Sequence, residues 1–263
     1  MPARRFRLAV VVAALAIGGG TRSPARADAL LPAFVPPNVR GGCPSGMRMV
    51  PGGEYTLVET STQAKVDTFC MDVTEVTVAA FQSCATSGAC KGPVPECVDP
   101  DLSPAGITGC SGYCNVGHAD RLNHPINCVS WAEATAYCTA LGRRLPTEEE
   151  WEWAARAASK ATLFPWGDEN PDDEKICWSA TASRQTTCVA GSFPGGASPQ
   201  GLLDLVGSLN EWTSTHVGDK TNRIYRGGSW YSDLPPKVYA SKRYSEPETD
   251  KSNTLGFRCA ADR

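Results

Sequence analysis

The sequence predicts an α+β fold that is rich in disulfide bonds and low in regular secondary structure. Twelve cysteines, an even number, indicate six disulfide bonds if the chain is exported. Two helix starts carry capping boxes, whereas the stretches typical of strands are short and are separated by long loops. Because no stretch of linker composition divides the chain after its leader, we expect a single domain over residues 43–263.

The first part of the chain has the pattern of a cleaved signal peptide over residues 1–27. Three arginines precede an unbroken apolar run over residues 8–17, and residues 25–27 form an A-x-A cleavage signal. The run is too short to span a bilayer, and no later segment is apolar enough to do so. We expect an exported chain, periplasmic or extracellular and soluble after cleavage, with an extended leader over residues 28–42.

The charge of the chain argues against two classes of partner. Cleavage would remove five arginines and no acidic residue, so the formal net charge would change from −3 to −8. Proteins that bind nucleic acid or anionic membranes gain affinity from positive charges that neutralise phosphates. Neither nucleic acid nor a membrane is therefore an expected partner.

Zinc is the alternative use of the cysteines, and the spacing argues against it. Zinc sites favour Cys-x-x-Cys pairs or closely spaced histidines, whereas this chain has no such pair and its three histidines are scattered. His124 has no serine or cysteine partner that the sequence can assign, so we interpret it as structural. Disulfides are favoured, and their connectivity stays open, although Cys84–Cys90 and Cys177–Cys188 are candidates for short local bridges.

The N-terminal part of the domain is predicted as short strands followed by one helix. Residues 47–50 and 54–57 flank a Pro-Gly-Gly turn and are expected to form two strands. A further strand is expected over Val66–Val76. Thr77 is a candidate N-cap for a helix over Val78–Cys84.

Two further helices are predicted from their capping boxes. Ser130 and Thr147 each begin an S/T-x-x-E motif, which predicts helices over residues 131–141 and 148–158. The helical period gives each helix one apolar face, which we expect to pack on the core. These faces consist of Trp131, Ala134, Cys138 and Leu141 in the first helix and of Trp151, Ala154, Ala155 and Ala158 in the second.

The rest of the chain is predicted to be mostly irregular. Residues 86–128 lack periodicity, and we expect the cysteines there to staple an otherwise long loop. Short strands are expected over Tyr225–Tyr231 and Gly256–Ala260. The acidic run over residues 168–174 fits no EF-hand spacing and is interpreted as solvated surface.

Five motifs, taken in order, resemble those of one known family. They are GRRLPTEEEWEWAAR at 142–156, FPWG at 164–167, DLVGSLNEW at 204–212, RGGSW at 226–230 and LGFRC at 255–259. In this order they resemble the formylglycine-generating enzymes, which are also called sulfatase-modifying factors. The resemblance implies that family's compact, loop-rich variant of the C-type-lectin-like fold.

The resemblance also locates a departure from the family's chemistry. In that family, two cysteines five residues apart follow the Gly-Gly-Ser stretch, bind copper and carry out an oxidation. The matching positions here are Ser232 and Lys237. Soft thiolates select Cu(I), and a hydroxyl with an ammonium group cannot replace them. Copper is therefore not expected, no catalytic residue is assigned, and the retained pocket serine, Ser229, is interpreted as structural.

A calcium site is the cofactor that the resemblance implies. In the family, the loop that corresponds to residues 204–211 binds calcium through side chains at Asp204 and Glu211 and through the carbonyl groups of Gly207 and Leu209. Hard oxygen ligands from a short loop suit this ion. The alternative is a pair of solvated loop carboxylates. We expect calcium.

The resemblance implies one long-range disulfide as well, between the positions of Cys138 and Cys259. A native bridge of an exported protein commonly stabilises the fold by about 2–5 kcal/mol. The sequence assigns no partner to the other cysteines beyond the two candidate local bridges.

Three hypotheses for the function remain from the sequence. The favoured one is a non-catalytic binding or structural module whose ligand is a protein, peptide or glycan. The second is an oxidase of the formylglycine-generating type, acting on cysteine in sulfatases, and the missing cysteine pair argues against it. The third is a tailoring enzyme that uses the same scaffold without cysteines. Fold alone does not decide among them.

Overall fold

The computed structural model describes residues 42–92, 110–181, 183–218 and 221–263. The predicted signal peptide, all but the last residue of the predicted leader, and Cys97 lie outside these residues. Among the residues that are described, no helix is both long enough and apolar enough to cross a membrane.

Among the described residues, short strands and three α-helices are connected by loops, turns and short 3-10 helices. The strands are only 2–8 residues long, as expected from the breaks in the hydrophobic pattern. The elements are β1 (Met47–Val50), β2 (Gly53–Thr56), β3 (Gln63–Val66), β4 (Phe69–Asp72), α1 (Val78–Thr86), α2 (Trp131–Ala140), α3 (Glu148–Ala155), β5 (Asn210–Val217), β6 (Asn222–Arg226), β7 (Arg243–Pro247), β8 (Leu255–Gly256) and β9 (Ala260–Asp262).

Three small sheets organise these strands. One has the order β1-β4-β9 with antiparallel pairs, the second is the β2-β3 hairpin, and the third has the order β7-β6-β5-β8. In the third sheet β8 runs parallel to β5, so the last part of the chain lies directly beside the end of the 204–211 loop. Together with the antiparallel pairing of β5 and β6, it brings the RGGSW, DLVGSLNEW and LGFRC motifs together.

Three predicted strands were wrong in their bounds. The strand expected over Val66–Val76 is divided between β3 and β4, which belong to different sheets because the chain turns between them. The strand expected over Tyr225–Tyr231 ends at Arg226, since the next two residues are glycines with φ of 112° and 105°. The strand expected over Gly256–Ala260 is interrupted and belongs to β8 and β9.

The helices agree better with the sequence. Thr77 caps α1, which is two residues longer than predicted, and the capping boxes at Ser130 and Thr147 are both formed. The third helix ends before Ala157 and Ala158, which the prediction had placed inside or at its end. Both alanines are left-handed, with φ of 54° and 56°, and therefore cannot continue a right-handed helix.

The predicted core faces were right for most positions. In α2 the buried residues are Ala134, Tyr137 and Cys138, whereas Trp131 and Leu141 are only partly buried. Tyr137 therefore lies on the buried face of α2, where the prediction had placed Trp131 and Leu141. Most of α3 is buried, because this short helix lies among the sheets.

Five disulfides cross-link the described residues, none of which is a free cysteine. Cys84–Cys90 and Cys177–Cys188 are both present, which confirms the two candidate local bridges. The longest bridge joins α2 to the strand region before β9, and it is the pairing that the resemblance implies. The five bridges are Cys43–Cys70, Cys84–Cys90, Cys114–Cys128, Cys138–Cys259 and Cys177–Cys188.

Candidate functional site

The loop over residues 204–211 is folded tightly and is buried. Asp204 and Ser208 both have positive φ, 55° and 54°, and Gly207 has φ of 76°. Asp204 is 8% exposed and Glu211 is fully buried, so these acids are not solvated loop carboxylates. Ionised groups at such positions need specific partners.

Glu211 has a complete set of partners. Both oxygens of its carboxylate accept from the guanidinium of Arg258, at 2.8 Å from Nε and 2.7 Å from Nη2, and the indole of Trp151 donates to it at 2.8 Å. Arg258 is itself fully buried and also donates to the carbonyl oxygens of Asp72, Val73 and Leu203. This ion pair therefore fixes the last strand of the chain to the end of the loop.

Glu75 is a member of this cluster that the sequence analysis missed. It precedes the cap of α1, is 2% exposed, and accepts from the backbone N–H of Leu209 at 2.9 Å. Its other carboxylate oxygen, Oε2, is buried without a hydrogen-bond partner. In the sequence, Glu75 is an acidic residue between the short runs DVT and VT, and no spacing connects it with the 204–211 loop. A buried polar oxygen without a partner among the described residues is accounted for by a further group at this place, such as water or a cation.

Three buried carboxyl groups of the cluster lie around one guanidinium group. Glu75, Asp204 and Glu211 face a single cation, Arg258. Burial, followed by the neighbouring Asp204 and Glu211 carboxylates, raises the pKa of Glu75 well above its usual value. Burial also raises the pKa of Asp204, against the hydrogen bond from the Gly191 backbone. A divalent cation bound beside them would lower both pKa values and favour the ionised carboxylates.

The residues present fit a hard cation only if the backbone contributes ligands. Among the described residues, no group of three or more acidic, histidine or cysteine side chains is arranged to hold a metal unaided. One oxygen of Asp204 accepts from Gly191 at 2.6 Å, and both oxygens of Glu211 are already engaged. Calcium accepts mixed carboxylate and carbonyl oxygen ligands in flexible numbers, so the backbone carbonyl groups of the loop would have to complete its coordination.

The second part of the site is the turn that follows the Gly-Gly-Ser stretch. Ser232 is 8% exposed, and its hydroxyl accepts from the backbone N–H of Ser229 at 3.1 Å. Its own N–H donates to the carbonyl oxygen of Ser229 at 2.9 Å. The hydroxyl of Ser229 accepts from Tyr231 N–H at 3.3 Å. Both serines therefore close the turn, which agrees with a structural role for Ser229.

Lys237 faces a different environment from Ser232. Its side chain is 52% exposed and pairs with Asp233 at 2.7 Å. The backbone of the same residue is close to the turn, since a Cβ added at Gly228 would lie 2.6 Å from the Lys237 carbonyl oxygen. The glycine therefore allows two backbone segments to meet, while the side chains at positions 232 and 237 offer no soft metal ligand.

Aromatic side chains lie beneath and beside this turn. Trp230 is buried, stacks on Tyr113 with ring centroids 6.1 Å apart, and donates from its indole to the Asn253 carbonyl oxygen. Tyr231 packs edge-on against Trp230 but is 48% exposed, and Leu234 is 55% exposed. The turn thus presents two large apolar side chains to solvent above a rigid aromatic base.

Comparison with known proteins places the chain in a family. Residues 34–263 match the model of the sulfatase-modifying factor enzyme 1-like domain. The chain belongs to this family. The match covers all the described elements, so the resemblance given by the five motifs is confirmed.

Relatives in the sulfatase-modifying factor family include active and inactive proteins by name. The formylglycine-generating enzyme of Bos taurus is 30% identical over 300 residues, which cover 88% of this chain and 79% of the relative. The inactive C-alpha-formylglycine-generating enzyme 2 of Bos taurus is 35% identical over 162 residues, which cover 55% of this chain and 52% of that protein. The chain thus spans about half the length of the latter relative.

Solved structures agree on the fold. CarF superposes with a TM-score of 0.64 at 18% identity, over 84% of this chain and 99% of CarF. PvdO from Pseudomonas aeruginosa gives 0.63 at 19% identity, over 82% of this chain and 94% of PvdO. These similarities show the formylglycine-generating-enzyme-like variant of the C-type-lectin-like fold, and at such identities they show the fold alone.

His124 lies outside both parts of the site. Its Nδ1 is 2.9 Å from the hydroxyl of Thr187, and its described hydrogen bonds include no serine or cysteine. Partial burial, and then the guanidinium of Arg121, lower its pKa below 6.5, whereas Asp120 acts in the opposite direction. The interpretation of His124 as structural therefore agrees with its contacts.

We expect His124 to make the stability of the domain depend on pH. Because its pKa is lower in the folded than in the unfolded state, its contribution is complete above pH 6.5 and is lost as the pH falls through the folded-state pKa. The measurement is the free energy of unfolding by urea from pH 5 to 8 for wild type and His124→Gln. The wild type should lose more stability than the variant on acidification, and equal slopes would contradict this role.

Proposed function

We propose that this chain is a non-catalytic member of the sulfatase-modifying factor family, exported from the cell, that binds a protein, peptide or glycan without oxidising it. The observation that carries the proposal is the pair of side chains at positions 232 and 237. Ser232 is used inside a turn and Lys237 pairs with Asp233 in solvent, so neither provides a thiolate for copper. Every described cysteine is held in a disulfide.

Two further observations support a module that does not carry out copper-dependent oxidation. Relatives named inactive C-alpha-formylglycine-generating enzyme 2 from Bos taurus and Mus musculus are 35% and 34% identical to this chain. The density of disulfides in the described residues suits an oxidising compartment, as the signal-like N-terminus does. Relatives named as active enzymes are about equally similar, so the argument rests on the site and not on percentage identity.

The surface that would bind the ligand is the turn with its exposed apolar residues. Tyr231 and Leu234 project from a segment whose backbone is fixed by Ser232 and by the buried Trp230. Exposed tyrosine on a rigid base is typical of recognition surfaces, because it offers a large contact area at little cost in side-chain entropy, and Leu234 adds apolar area beside it. This surface coincides with the place where the copper enzymes carry their cysteine pair.

A structural calcium ion completes the proposal. The carboxylates of Asp204 and Glu211 and the carbonyl groups of Gly207 and Leu209 would hold it, and Glu75 is an additional carboxylate at the same loop. When bound, the ion supplies positive charge to a buried acidic cluster. The orphaned oxygen of Glu75 and the grouping of three buried carboxyl groups at one loop support this assignment.

An oxygen-dependent assay tests the absence of catalysis. The purified mature protein is incubated with Cu(I), oxygen and a cysteine-containing peptide, and the peptide thiol is followed by mass spectrometry against a reaction without protein. We expect no protein-dependent conversion in the wild type. The double variant Ser232→Cys with Lys237→Cys should gain tight Cu(I) binding, because it restores two soft ligands. Protein-dependent conversion by the wild type would contradict the proposal.

Calcium titration tests the metal site separately. At a calcium concentration of about 100 times the dissociation constant, the free energy of unfolding should rise by about 2.7 kcal/mol over the protein in chelator. Asp204→Asn should remove most of this increase because a carboxylate ligand is lost. Glu59→Gln, which changes a surface acid paired with Lys242, is the matched control and should keep it. Equal stability of the wild type with and without calcium would refute the site.

A further inference from the structure

We propose that the Cys177–Cys188 disulfide is a positioning device for the calcium loop, so that calcium affinity depends on this bridge. The inference rests on the calcium site proposed above and assigns a role to two cysteines in it. The bridge joins two chain segments, and each segment holds the loop at a different place. The bridge packs in a hydrophobic cluster with Tyr113, Leu209 and Trp230, and Leu209 is itself part of the loop.

The first segment holds the middle of the loop. The carbonyl oxygen of Cys177 accepts from the N–H of Ser208 at 2.8 Å. A Cβ added at Gly207 would lie 2.8 Å from the same oxygen, so the loop passes directly against this segment and needs a glycine there. Ser208 in turn accepts from the N–H of Trp230 at 2.8 Å, which connects the loop to the Gly-Gly-Ser strand.

The second segment holds the start of the loop. Three residues after Cys188, the N–H of Gly191 donates to Oδ2 of Asp204 at 2.6 Å. Gly191 lies at the third position of a turn closed by the hydrogen bond from Ser192 N–H to the Val189 carbonyl oxygen. Its φ of 77° requires glycine at this position of the turn.

The bridge therefore fixes the distance between two anchors of a single loop. Cys177 anchors Ser208, the residue between the two proposed carbonyl ligands, and the turn after Cys188 orients a proposed carboxylate ligand, Asp204. Without the bridge, the two anchors could separate, and calcium binding would have to restore their spacing at a cost in affinity. Groups that orient metal ligands commonly change affinity by about 10–100-fold.

One contact limits the expected effect. The N–H of Ala190 also donates to the Asn123 carbonyl oxygen at 3.0 Å, and this bond stays when the bridge is removed. We therefore expect the dissociation constant for calcium to rise by about tenfold, at the lower end of the range for such groups, and not a complete loss of binding.

The test compares two disulfide knockouts by isothermal titration with calcium alone. Cys177→Ser with Cys188→Ser is the test variant. Cys84→Ser with Cys90→Ser, which opens a local bridge at the end of α1 in another core cluster, is the control. The proposal expects about a tenfold rise in dissociation constant in the test variant only. An unchanged dissociation constant in the test variant, or an equal rise in both variants, would overturn it.

A second readout separates this proposal from the calcium site itself. Amide hydrogen exchange at Ser208 and Gly191 in chelator should be about tenfold faster in the test variant than in the wild type. If the wild type binds no calcium, the proposed metal site is refuted. The amide exchange rates in chelator still show whether the bridge positions the loop. If the test variant does not fold, Gly191→Ala replaces it, because its Cβ meets no atom closer than 3.5 Å and only the turn is strained.

Discussion

Replacing Arg258 by methionine is expected to lower the free energy of unfolding by about 3–5 kcal/mol. The guanidinium is fully buried and provides two of the three hydrogen bonds to Glu211, so its removal leaves a buried carboxylate without a counter-charge. Three carbonyl oxygens, those of Asp72, Val73 and Leu203, would lose a donor in addition. A domain of this size is stable by only about 5–15 kcal/mol, so the variant should be marginal.

Urea unfolding in chelator measures this effect without a contribution from calcium. Lys242→Ala is the control, because its ion pair with Glu59 lies at the surface, with both side chains about one third exposed, and should contribute less than about 1 kcal/mol. Adding Glu211→Gln to the Arg258 variant should recover part of the loss, since it removes the uncompensated charge. A loss below about 1 kcal/mol for Arg258→Met would show that the buried ion pair does not hold the loop.

Removal of the Cys138–Cys259 bridge is the second large expected effect. With both cysteines changed to alanine, the free energy of unfolding should fall by about 2–5 kcal/mol. The bridge closes a segment with a sequence separation of 121 residues, and both sulfurs are buried in the core with Phe81 and Phe257. A longer closed segment restricts the unfolded chain more, and the loss of two packed sulfur atoms adds to the effect.

The short Cys84–Cys90 bridge provides a control for the removal of the Cys138–Cys259 bridge. Opening Cys84–Cys90, with a sequence separation of only 6, should cost clearly less. Both double variants are compared with the wild type by urea unfolding under non-reducing conditions. Equal losses for the two bridges would contradict the dependence on loop length and would point to local packing as the source of the stability.

The helices and their caps could be predicted because their signals are local. Ser130 and Thr147 specify helix starts by their own hydrogen bonds, and both boxes are formed. The ends of the helices and strands depend on backbone conformations that the sequence does not indicate. Ala157 is left-handed although alanine favours right-handed helix, and the surrounding structure overrides that preference.

Only those residues of the proposed calcium site that lie within one sequence motif were predicted. Asp204 and Glu211 lie in a continuous run that resembles the family, whereas Glu75 reaches the same loop from more than a hundred residues away in sequence. The partners of Glu211 likewise come from α3 and from the last strand region. Such pairings depend on how the sheets are assembled, and no spacing in the sequence encodes them.

We expect that no pair of thiolates in this protein is free to hold copper. The most direct measurement is a count of free thiols, with a mass-spectrometric map of the disulfides, on the non-reduced mature protein after alkylation under denaturing conditions. We expect that no cysteine is alkylated, that all twelve are paired, and that Cys138–Cys259 is among the bridges. Two free cysteines that lie next to each other in the folded protein would contradict it and would restore copper chemistry as the working hypothesis.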